Sequence, residues 1–292
     1  MSKLKWDPEA EAALAKAPFF VRPLARRKVE QRVRERGADR VTLADVREGE
    51  ARFRAVAGDK PDAELARLMP RANEPGAQTV VVEVCHCEVS GCPNVVIQPA
   101  EWKDAIEHWA GERGVHERLR QRIEGPRVLH HHKLRISISG CPNGCSRPQI
   151  ADVGLMGRAD PLVAPERCDA CGACARACPD GAIDVEDRPV FDREVCLGCA
   201  VCRNACPNEA IALTEPAVTI LMGGKLGRHP HLADVVGTAH APCQIVRCLG
   251  EISARFLAQA APGERFADFW IRTGLGRRPD PRSGSATEGD AR

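Results

Sequence analysis

The sequence lacks an excess of charge of one sign. Its 292 residues include 42 basic and 40 acidic side chains, which leaves a formal net charge of +2. Proteins that bind nucleic acid or a membrane surface through charge carry a strong basic bias. The composition therefore predicts no nucleic-acid partner.

The sequence also lacks long apolar segments. The amino-terminal stretch MSKLKWDPEAEAALAK has no apolar core of the kind found in secretion signals. No apolar run approaches the roughly 20 residues that a membrane-spanning helix needs. We therefore expect a cytoplasmic protein without a membrane span.

The motifs of several common enzyme classes are missing as well. There is no nucleophile elbow, no glycine-rich dinucleotide fingerprint and no zinc-protease helix motif. The stretch GGKLGRHPH, which begins at residue 223, does not have the spacing of a phosphate-binding loop. These absences argue against hydrolases of those types, nicotinamide enzymes and P-loop enzymes.

What the sequence has instead is cysteine, 15 residues in all. An odd count and the absence of a secretion signal disfavour a closed disulfide framework. In a reducing compartment, so many thiols are better explained as metal ligands.

An internal repeat carries eight of these cysteines. The stretch ERCDACGACARACPDGAIDV recurs 28 residues later as EVCLGCAVCRNACPNEAIAL, and each copy reads C-x2-C-x2-C-x3-C-P. This is the bacterial ferredoxin run, in which the fourth cysteine of each copy binds the cluster of the other copy. Structural zinc is the alternative, but zinc prefers two separated C-x2-C pairs around one ion. The repeat predicts two [4Fe–4S] clusters. The first would be held by Cys168, Cys171, Cys174 and Cys206, and the second by Cys178, Cys196, Cys199 and Cys202.

A second group of cysteines lies before the repeat. Cys141 and Cys145 sit in the loop SGCPNGC, and CHCEVSGCP supplies Cys85, Cys87 and Cys92 after a valine-rich strand. Four thiolates from two loops suit a third [4Fe–4S] cluster. Positions 85 and 87 share one face of a strand, so alternation alone cannot choose between them. The last two cysteines, Cys243 and Cys248, would point in different directions on one helix, and we expect packed thiols there.

The segment KLRISISGCPNGCSRPQIADVGLMG closely resembles the cluster-binding segment of the sirohaem-containing sulfite and nitrite reductases. The following ferredoxin-type insertion and the return segment GGKLGRHPHLA resemble the dissimilatory and anaerobic members. The resemblance implies that Cys92, Cys141 and Cys145 bind the third cluster and that Cys145 bridges it to a sirohaem iron. In that family five residues separate the two cysteines of the first loop. Here six residues separate Cys85 from Cys92, and four separate Cys87 from Cys92. We favour Cys87.

The same resemblance implies roles for four cations. Lys133 and Arg135, beside the cluster segment, would bind the anionic substrate or the haem carboxylates. Lys225 and Arg228, on the glycine-rich return segment, would bind an anion. The alternatives are a solvent-facing side of the strand for Lys133 and Arg135 and a plain turn for Lys225 and Arg228. The run His130–His132 would alternate across a strand spanning residues 127–139.

The amino-terminal residues point to a separate module. The pattern WDPEA, APFFVRP and ARRKVE resembles the small helical domain of the B subunit of light-independent protochlorophyllide reductase. Asp7 and Pro8 predict a helix start, a second helix should end near Gly37, and Thr42 with Asp45 predicts a capping box.

Together these patterns predict an α+β protein with a reductase-like cluster domain interrupted by a ferredoxin domain. The predicted parts are a helical domain at 1–50, a connector at 51–78, the cluster domain at 79–160 and 216–276, the ferredoxin domain at 161–215 and a disordered tail at 277–292. Within them we expect a strand at 79–87 and helices at 99–124 and 249–261.

The function expected is an iron–sulfur oxidoreductase that passes electrons from the ferredoxin clusters to the third cluster, and from there to sirohaem for sulfite or nitrite reduction. The half-domain that precedes the first cysteine loop in that family is missing here. The alternative is therefore a sirohaem-free electron-transfer subunit that serves a partner reductase, with a tetrapyrrole as one candidate substrate. Either case predicts a redox partner protein or a second subunit. A regulatory cluster sensor is a further alternative, but no segment resembles a DNA-reading helix.

Overall fold

The fold is taken from a computed structural model, which describes residues 4–17, 21–57 and 71–275. The chain divides into two compact units, Met1–Pro70 and Arg71–Arg292. The predicted tail at 277–292 and residues 58–70 of the predicted connector lie outside the described residues. Helices and strands are mixed, as the α+β prediction requires.

The first unit is a small helical bundle with one short strand pair. Its elements are β1 (Lys5–Trp6), α1 (Pro8–Ala15), α2 (Arg22–Glu35), β2 (Arg40–Val41) and α3 (Leu43–Ala57). The core consists of small and branched side chains, namely Ala10, Leu14, Val29, Val33, Val41 and Val46. The predicted capping box is present, because the Asp45 carboxylate accepts hydrogen bonds from both the backbone N–H and the hydroxyl of Thr42 at 2.8 Å. Helix α3 continues through residues 51–57, where the sequence pattern had suggested the start of the connector.

The second unit is built on a five-stranded sheet in the order β13-β12-β7-β6-β4. Strands β4, β6 and β7 are parallel, and β12 and β13 run antiparallel to their neighbours. The five strands are β4 (Val80–Val84), β6 (Leu134–Ser139), β7 (Val153–Arg158), β12 (Ala217–Met222) and β13 (Asp234–Ala239). A smaller pair joins β3 (Arg71–Ala72) to β5 (Arg127–Val128).

Helices cover one face of this sheet. They are α4 (Cys87–Ser90), α5 (Pro99–Glu112), α6 (Val115–Arg120), α9 (Pro242–Gln259) and α10 (Phe266–Thr273). Buried Trp102, Ile106 and Trp109 recur along one side of α5 and pack in the same core as Ile136 and Ile138 of β6. The strong apolar periodicity of α5 and α9 explains why both form long helices on this sheet. No helix in the described ranges is both long and apolar enough to cross a membrane.

The other face carries the segment that links β6 to β7. This segment, residues 140–152, contains Cys141 and Cys145. It is tied to β6 by Ser137 Oγ, which donates to the Ser146 carbonyl at 2.7 Å. Gly154 allows the close approach, since a Cβ there would lie 2.4 Å from the Pro148 carbonyl oxygen. The cysteine loop is therefore held at the carboxyl end of β6 by direct backbone packing.

The inserted segment leaves the sheet after β7 and returns at β12. It contains β8 (Pro161–Val163), α7 (Ala173–Ala177), β9 (Ile183–Val185), β10 (Pro189–Phe191), α8 (Val201–Ala205) and β11 (Ile211–Leu213). Strand β8 pairs with β11 and β9 pairs with β10, both antiparallel. Each repeat copy contributes one short helix and the strand that follows it.

Three local predictions need correction. The predicted strand at 127–139 is interrupted, because His130–His132 form a 3-10 turn and β6 begins only at Leu134. The predicted strand at 79–87 ends at Val84, and Cys87 opens α4. The helix predicted at 249–261 begins earlier, at Pro242, where proline suits the first helical turn.

Candidate metal centres

The two repeat copies place their cysteines through the same backbone geometry. In each copy the residues before and after the second cysteine have positive φ: Ala170 and Gly172 in the first copy, Gly198 and Ala200 in the second. These reversals wrap the chain around the second cysteine and open the helix that carries the third. Alanine at such an angle costs roughly 1–2 kcal/mol relative to glycine, so the loop shape is kept in spite of backbone strain.

The first predicted quartet lies around one small cavity. Its lining includes Cys168, Cys171 and Cys174 from the first copy and Cys206 from the second. The other lining side chains, among them Pro189 and Ile211, are largely apolar. The structure thus brings these four predicted ligands together in a pocket with few competing polar groups.

The second predicted quartet lines a separate small cavity. Cys196, Cys199 and Cys202 come from the second copy, and Cys178 comes from the first. Helices α7 and α8, which carry Cys174 and Cys202, pack against each other between the two cavities. The exchange of the fourth cysteine between copies, expected from the spacing, is therefore present in the geometry.

Electrostatics at both quartets favours a bound cation. Burial, together with the charges of the nearby Cys199 and Cys196, raises the pKa of the Cys202 thiol to about 11. Burial likewise raises the pKa of Cys174, with added contributions from Cys171 and Cys206. Thiolates this close repel one another in an apolar pocket, and iron would remove that repulsion.

Backbone donors approach one sulfur in each quartet at matching repeat positions. The Ala182 N–H donates to Cys178 Sγ at 3.4 Å, and the Ala210 N–H donates to Cys206 Sγ at 3.2 Å. Hydrogen bonds to ligand sulfurs raise the reduction potential of a cluster because they stabilise added negative charge. The repeat thus supplies the same tuning contact to both sites.

The third group of cysteines lies at the carboxyl ends of the parallel strands β4 and β6. Cys85 follows β4 and Cys141 follows β6, so the two loops meet at the same sheet edge. Burial raises the pKa of the Cys141 thiol, and Cys145, Cys92 and Cys85 raise it further through their charges. These four sulfurs are therefore close enough to interact electrostatically.

Cys87 occupies a different environment from Cys85. It is buried, and burial followed by interaction with Cys85 raises its pKa to about 12. The Gly140 N–H donates to Cys85 Sγ at 3.1 Å, which ties Cys85 to the loop that carries Cys141. The geometry supports Cys85 as the fourth ligand, whereas the sequence argument favoured Cys87.

Cys145 is the exposed member of this group. Its sulfur accepts a hydrogen bond of 3.0 Å from Asn143 Nδ2. Asn143 was not singled out from the sequence, although its place between the two cysteines of SGCPNGC could have indicated it. An exposed, hydrogen-bonded thiolate can contact a second group outside the loop.

Within the described residues, no three histidine, cysteine or acidic side chains converge on a point where a single metal ion could bind. A cubane cluster does not require such convergence, since each of its four cysteines binds a different iron. The all-thiolate donor sets and apolar walls fit [4Fe–4S] clusters in the two inserted cavities.

The four predicted anion-binding cations differ in their surroundings. Lys133 precedes β6 and so lies at the opposite end of that strand from Cys141. The Arg135 guanidinium donates to Glu83 at 3.3 Å, and the Lys225 ammonium forms an ion pair with Asp268. Arg228 is exposed.

The turn that carries Lys225 does approach the cysteine segment. The Ala233 N–H donates to the Gln149 carbonyl at 2.8 Å. The Gln149 side-chain amide in turn lies against Gly144, between the two cysteines of the loop. Gln149 was not recognised from the sequence, and it links the return segment to the candidate site.

One further contact joins the inserted segment to the first cysteine loop. Asn204 Nδ2, on α8, donates to the Pro93 carbonyl at 3.0 Å and to Asn94 Oδ1 at 3.3 Å. Asn204 is two residues from Cys202, and Pro93 follows Cys92. This contact holds the second quartet beside the third group of cysteines, and no sequence signal indicated it.

The two remaining cysteines lie on α9. Cys248 is half-buried and packs against the main core, as expected of a packed thiol. Cys243 is exposed, so the expectation of packing was wrong for this residue. The first turn of the helix leaves it on the solvent side.

Two family models match the chain. One, described as "Nitrite and sulphite reductase 4Fe-4S domain", matches residues 78–277, and the other, "Proto-chlorophyllide reductase 57 kD subunit", matches residues 6–49. They correspond to the second unit and the first unit, respectively.

Individual proteins match over shorter stretches. The coenzyme F420-dependent sulfite reductase of Methanocaldococcus jannaschii is 51% identical over 98 residues, which cover 33% of this chain and 16% of that protein. One of the subunits of anaerobic sulfite reductase from Salmonella typhimurium is 37% identical over 65 residues, 22% of this chain and 19% of that protein. The crystal structure of dissimilatory sulfite reductase I superposes with a TM-score of 0.48 at 18% identity, covering 73% of this chain and 56% of that chain. The matched segments thus span less than a fifth of the length of either curated relative.

Proposed function

Because this chain belongs to the nitrite and sulphite reductase 4Fe-4S domain family, we propose that it is the electron-carrying part of a sulfite or nitrite reductase system, with three [4Fe–4S] clusters. Membership in this family indicates iron–sulfur chemistry of the reductase type. The number of clusters, their ligands and their order are proposals about this chain.

The main support for this proposal comes from the two cysteine-lined cavities of the inserted segment. Each is lined by four cysteines, three from one repeat copy and one from the other, in apolar surroundings. Such a site needs a group that binds four thiolates and neutralises their charge, and a [4Fe–4S] cluster does both while storing one electron. The quartets that line the cavities are those expected from the spacing.

The third cluster would be held by Cys85, Cys92, Cys141 and Cys145. These sulfurs come from two loops at one edge of the parallel strands, and the charges of the other three all raise the pKa of Cys141. The Asn204 contact to Pro93 supports an order in which the quartet that includes Cys202 lies next to the third site. Electrons would enter through the inserted segment and leave at the third site.

Cys145 is the proposed exit. It is exposed, and it matches the cysteine that bridges cluster and sirohaem iron in the resembling family. If sirohaem is bound, it supplies the reduction chemistry, and Cys145 supplies its shared ligand. In that case the chain takes part directly in sulfite or nitrite reduction.

A sirohaem-free subunit is the second candidate, and a specific observation favours it. Of the four cations expected to serve the anion, Arg135 and Lys225 are paired with carboxylates and Lys133 lies a strand length away. A partner subunit would then provide the substrate site, and Cys145 would face that partner. The partial coverage of the relatives is in keeping with a multi-chain or larger enzyme.

The test is to purify the protein without oxygen, record its visible spectrum and measure iron. Three clusters predict about 12 irons per chain, and a haem-type Soret band with about 13 identifies the sirohaem enzyme. A broad iron–sulfur shoulder with about 12 identifies the carrier subunit.

A Cys145→Ser variant separates the third site from the inserted ones. We expect loss of about four irons with the ferredoxin-type signals retained. Cys243→Ser, an exposed cysteine outside all three quartets, is the matched control and should change nothing. A wild-type content near eight irons, or a Cys145→Ser protein with every cluster intact, would refute the three-cluster assignment.

A further inference from the structure

A cavity of about 250 Å³ lies at the end of the sheet opposite the cysteine loops. It is formed by the end of α6, the segment before β6, the end of α9 and the start of α10. Strand β6 separates it from Cys141, and six strand residues span about 20 Å. The cavity is therefore distinct from the proposed cluster sites.

Two cations in the cavity wall make no hydrogen bond or ion pair with side chains in the part of the chain that the structure describes. These are Lys133 and Arg265, both only partly exposed. Burial, and then the charge of nearby Arg71, lower the pKa of Lys133. A half-buried cation beside other positive charge is unfavourable for folding unless an anion accompanies it.

Two other charged groups of the cavity already have partners. Arg122 donates to the carbonyls of Ala260 and Ala261 at the end of α9. Glu264 binds the guanidinium of Arg272 and accepts the Ala261 N–H. Among the remaining charged side chains, the cations Lys133 and Arg265 outnumber the one carboxylate, Glu124, so the balance of charge left in the cavity is positive.

A backbone-bound histidine and an apolar wall complete the lining. His132 Nδ1 accepts the Leu129 N–H at 3.1 Å, and burial lowers the pKa of this ring, while a hydrogen bond to the Arg127 backbone opposes that shift. The apolar wall includes Phe256 and Phe266, whose rings meet edge to face at 5.5 Å between centroids. A lining that contains both cations and aromatic rings suits a molecule with two unlike parts.

From this arrangement we propose that the cavity binds an organic anion with a ring-shaped apolar body, its carboxylate or phosphate lying on Lys133 and Arg265 and its ring on the phenylalanine wall. The proposal does not depend on the cluster assignment, because none of the lining residues is a candidate ligand. It also gives Lys133 a role at a site other than the one the sequence suggested.

Calorimetry on the anaerobically purified protein tests this with three simple probes. The aromatic carboxylate 2-naphthoate presents both parts, inorganic phosphate presents only the charge, and 2-naphthylmethanol presents only the ring. We expect one 2-naphthoate per chain with a dissociation constant below about 1 mM, and at least about 10-fold weaker binding of the other two probes.

Variants then locate the binding. Lys133→Gln and Arg265→Gln should each weaken 2-naphthoate by about 5-fold or more, while Lys133→Arg should keep most of the affinity. Lys103→Gln, on the exposed side of α5 and outside the cavity, is the matched control and should bind as the wild type does. Cluster absorption should be the same in all variants, which shows that each has folded.

Two results would overturn the proposal. One is the absence of saturable 2-naphthoate binding at millimolar concentration. The other is binding that Lys133→Gln and Arg265→Gln leave unchanged, since the probe would then occupy another surface. Equal affinity for the carboxylate and the alcohol would show that the cations take no part and would refute it as well.

Discussion

Replacing Gly157 by alanine should disturb the third site through backbone packing alone. Gly157 ends the part of β7 that lies beside the start of the cysteine loop. An added Cβ would lie 2.5 Å from the Gly140 carbonyl oxygen and 2.7 Å from Ile97 Cγ1. Gly140 precedes Cys141, and its N–H donates to Cys85 Sγ.

The loss of stability depends on which atoms near the added Cβ have to move. The Ile97 side chain can rotate, but the Gly140 carbonyl belongs to the backbone and must shift by about 0.5 Å or more to relieve the contact. Overpacking of this kind costs about 1–3 kcal/mol. For a domain of this size, each kcal/mol lowers the melting midpoint by about 2–4 °C. The shift also pulls the Gly140 N–H from Cys85, so the third cluster should load incompletely.

Gly237→Ala is the matched control. Gly237 lies on β13 of the same sheet, and a Cβ there would meet nothing within 4 Å. Alanine in an open strand position is neutral or slightly stabilising, by about 0.5–1 kcal/mol. The assay is the apparent melting midpoint at one scan rate together with iron per chain. Equal midpoints and equal iron contents in the Gly157→Ala and Gly237→Ala proteins would refute the packing argument.

Three further predictions concern other parts of the second unit. Cys85→Ser should lose about four irons per chain, and Cys87→Ser should lose none; the reverse result in an iron assay would restore the choice made from spacing. Asn204→Ala should weaken the spin–spin interaction between reduced clusters in electron paramagnetic resonance, because the Cys92 loop is no longer tied to α8. Asn94→Ala is the control; it leaves the Pro93 carbonyl contact in place and should have little effect. Burial raises the pKa of Asp152 to about 6, so the folded state binds a proton more tightly than the unfolded chain does. The contribution of this group to stability therefore falls as the pH rises from about 4 to 6. Asp152→Asn should flatten that slope in denaturation midpoints measured across this pH range.

Much of the inserted segment could be predicted from the sequence, because its information is local. Short cysteine spacings and a repeated pattern determine which thiols can reach one another, and the cavities contain the expected sets. The capping box at Thr42 and the proline start of α1 are equally local signals. These features depend on neighbours within a few residues of the chain.

The third site depends on contacts that sequence spacing does not carry. Cys85 and Cys87 look equivalent if β4 is extended, but β4 ends at Val84 and α4 turns Cys87 into the interior. Similarly, the closeness of Lys133 to the cluster segment along the chain suggested a shared site. Strand β6 is extended, so a few residues become a separation of about 20 Å.

The exchange of the fourth cysteine between the repeat copies has a consequence for how the protein is made. During synthesis from the amino terminus, neither quartet is complete when the first copy has emerged, although four cysteines are already present. In the proposed assignment, the quartet that contains Cys178 becomes complete with Cys202, and the one that contains Cys168 must wait for Cys206. If these quartets hold the clusters, cofactor delivery to the inserted segment cannot be completed on half of it, and a chain broken between the copies would yield no finished centre on either side.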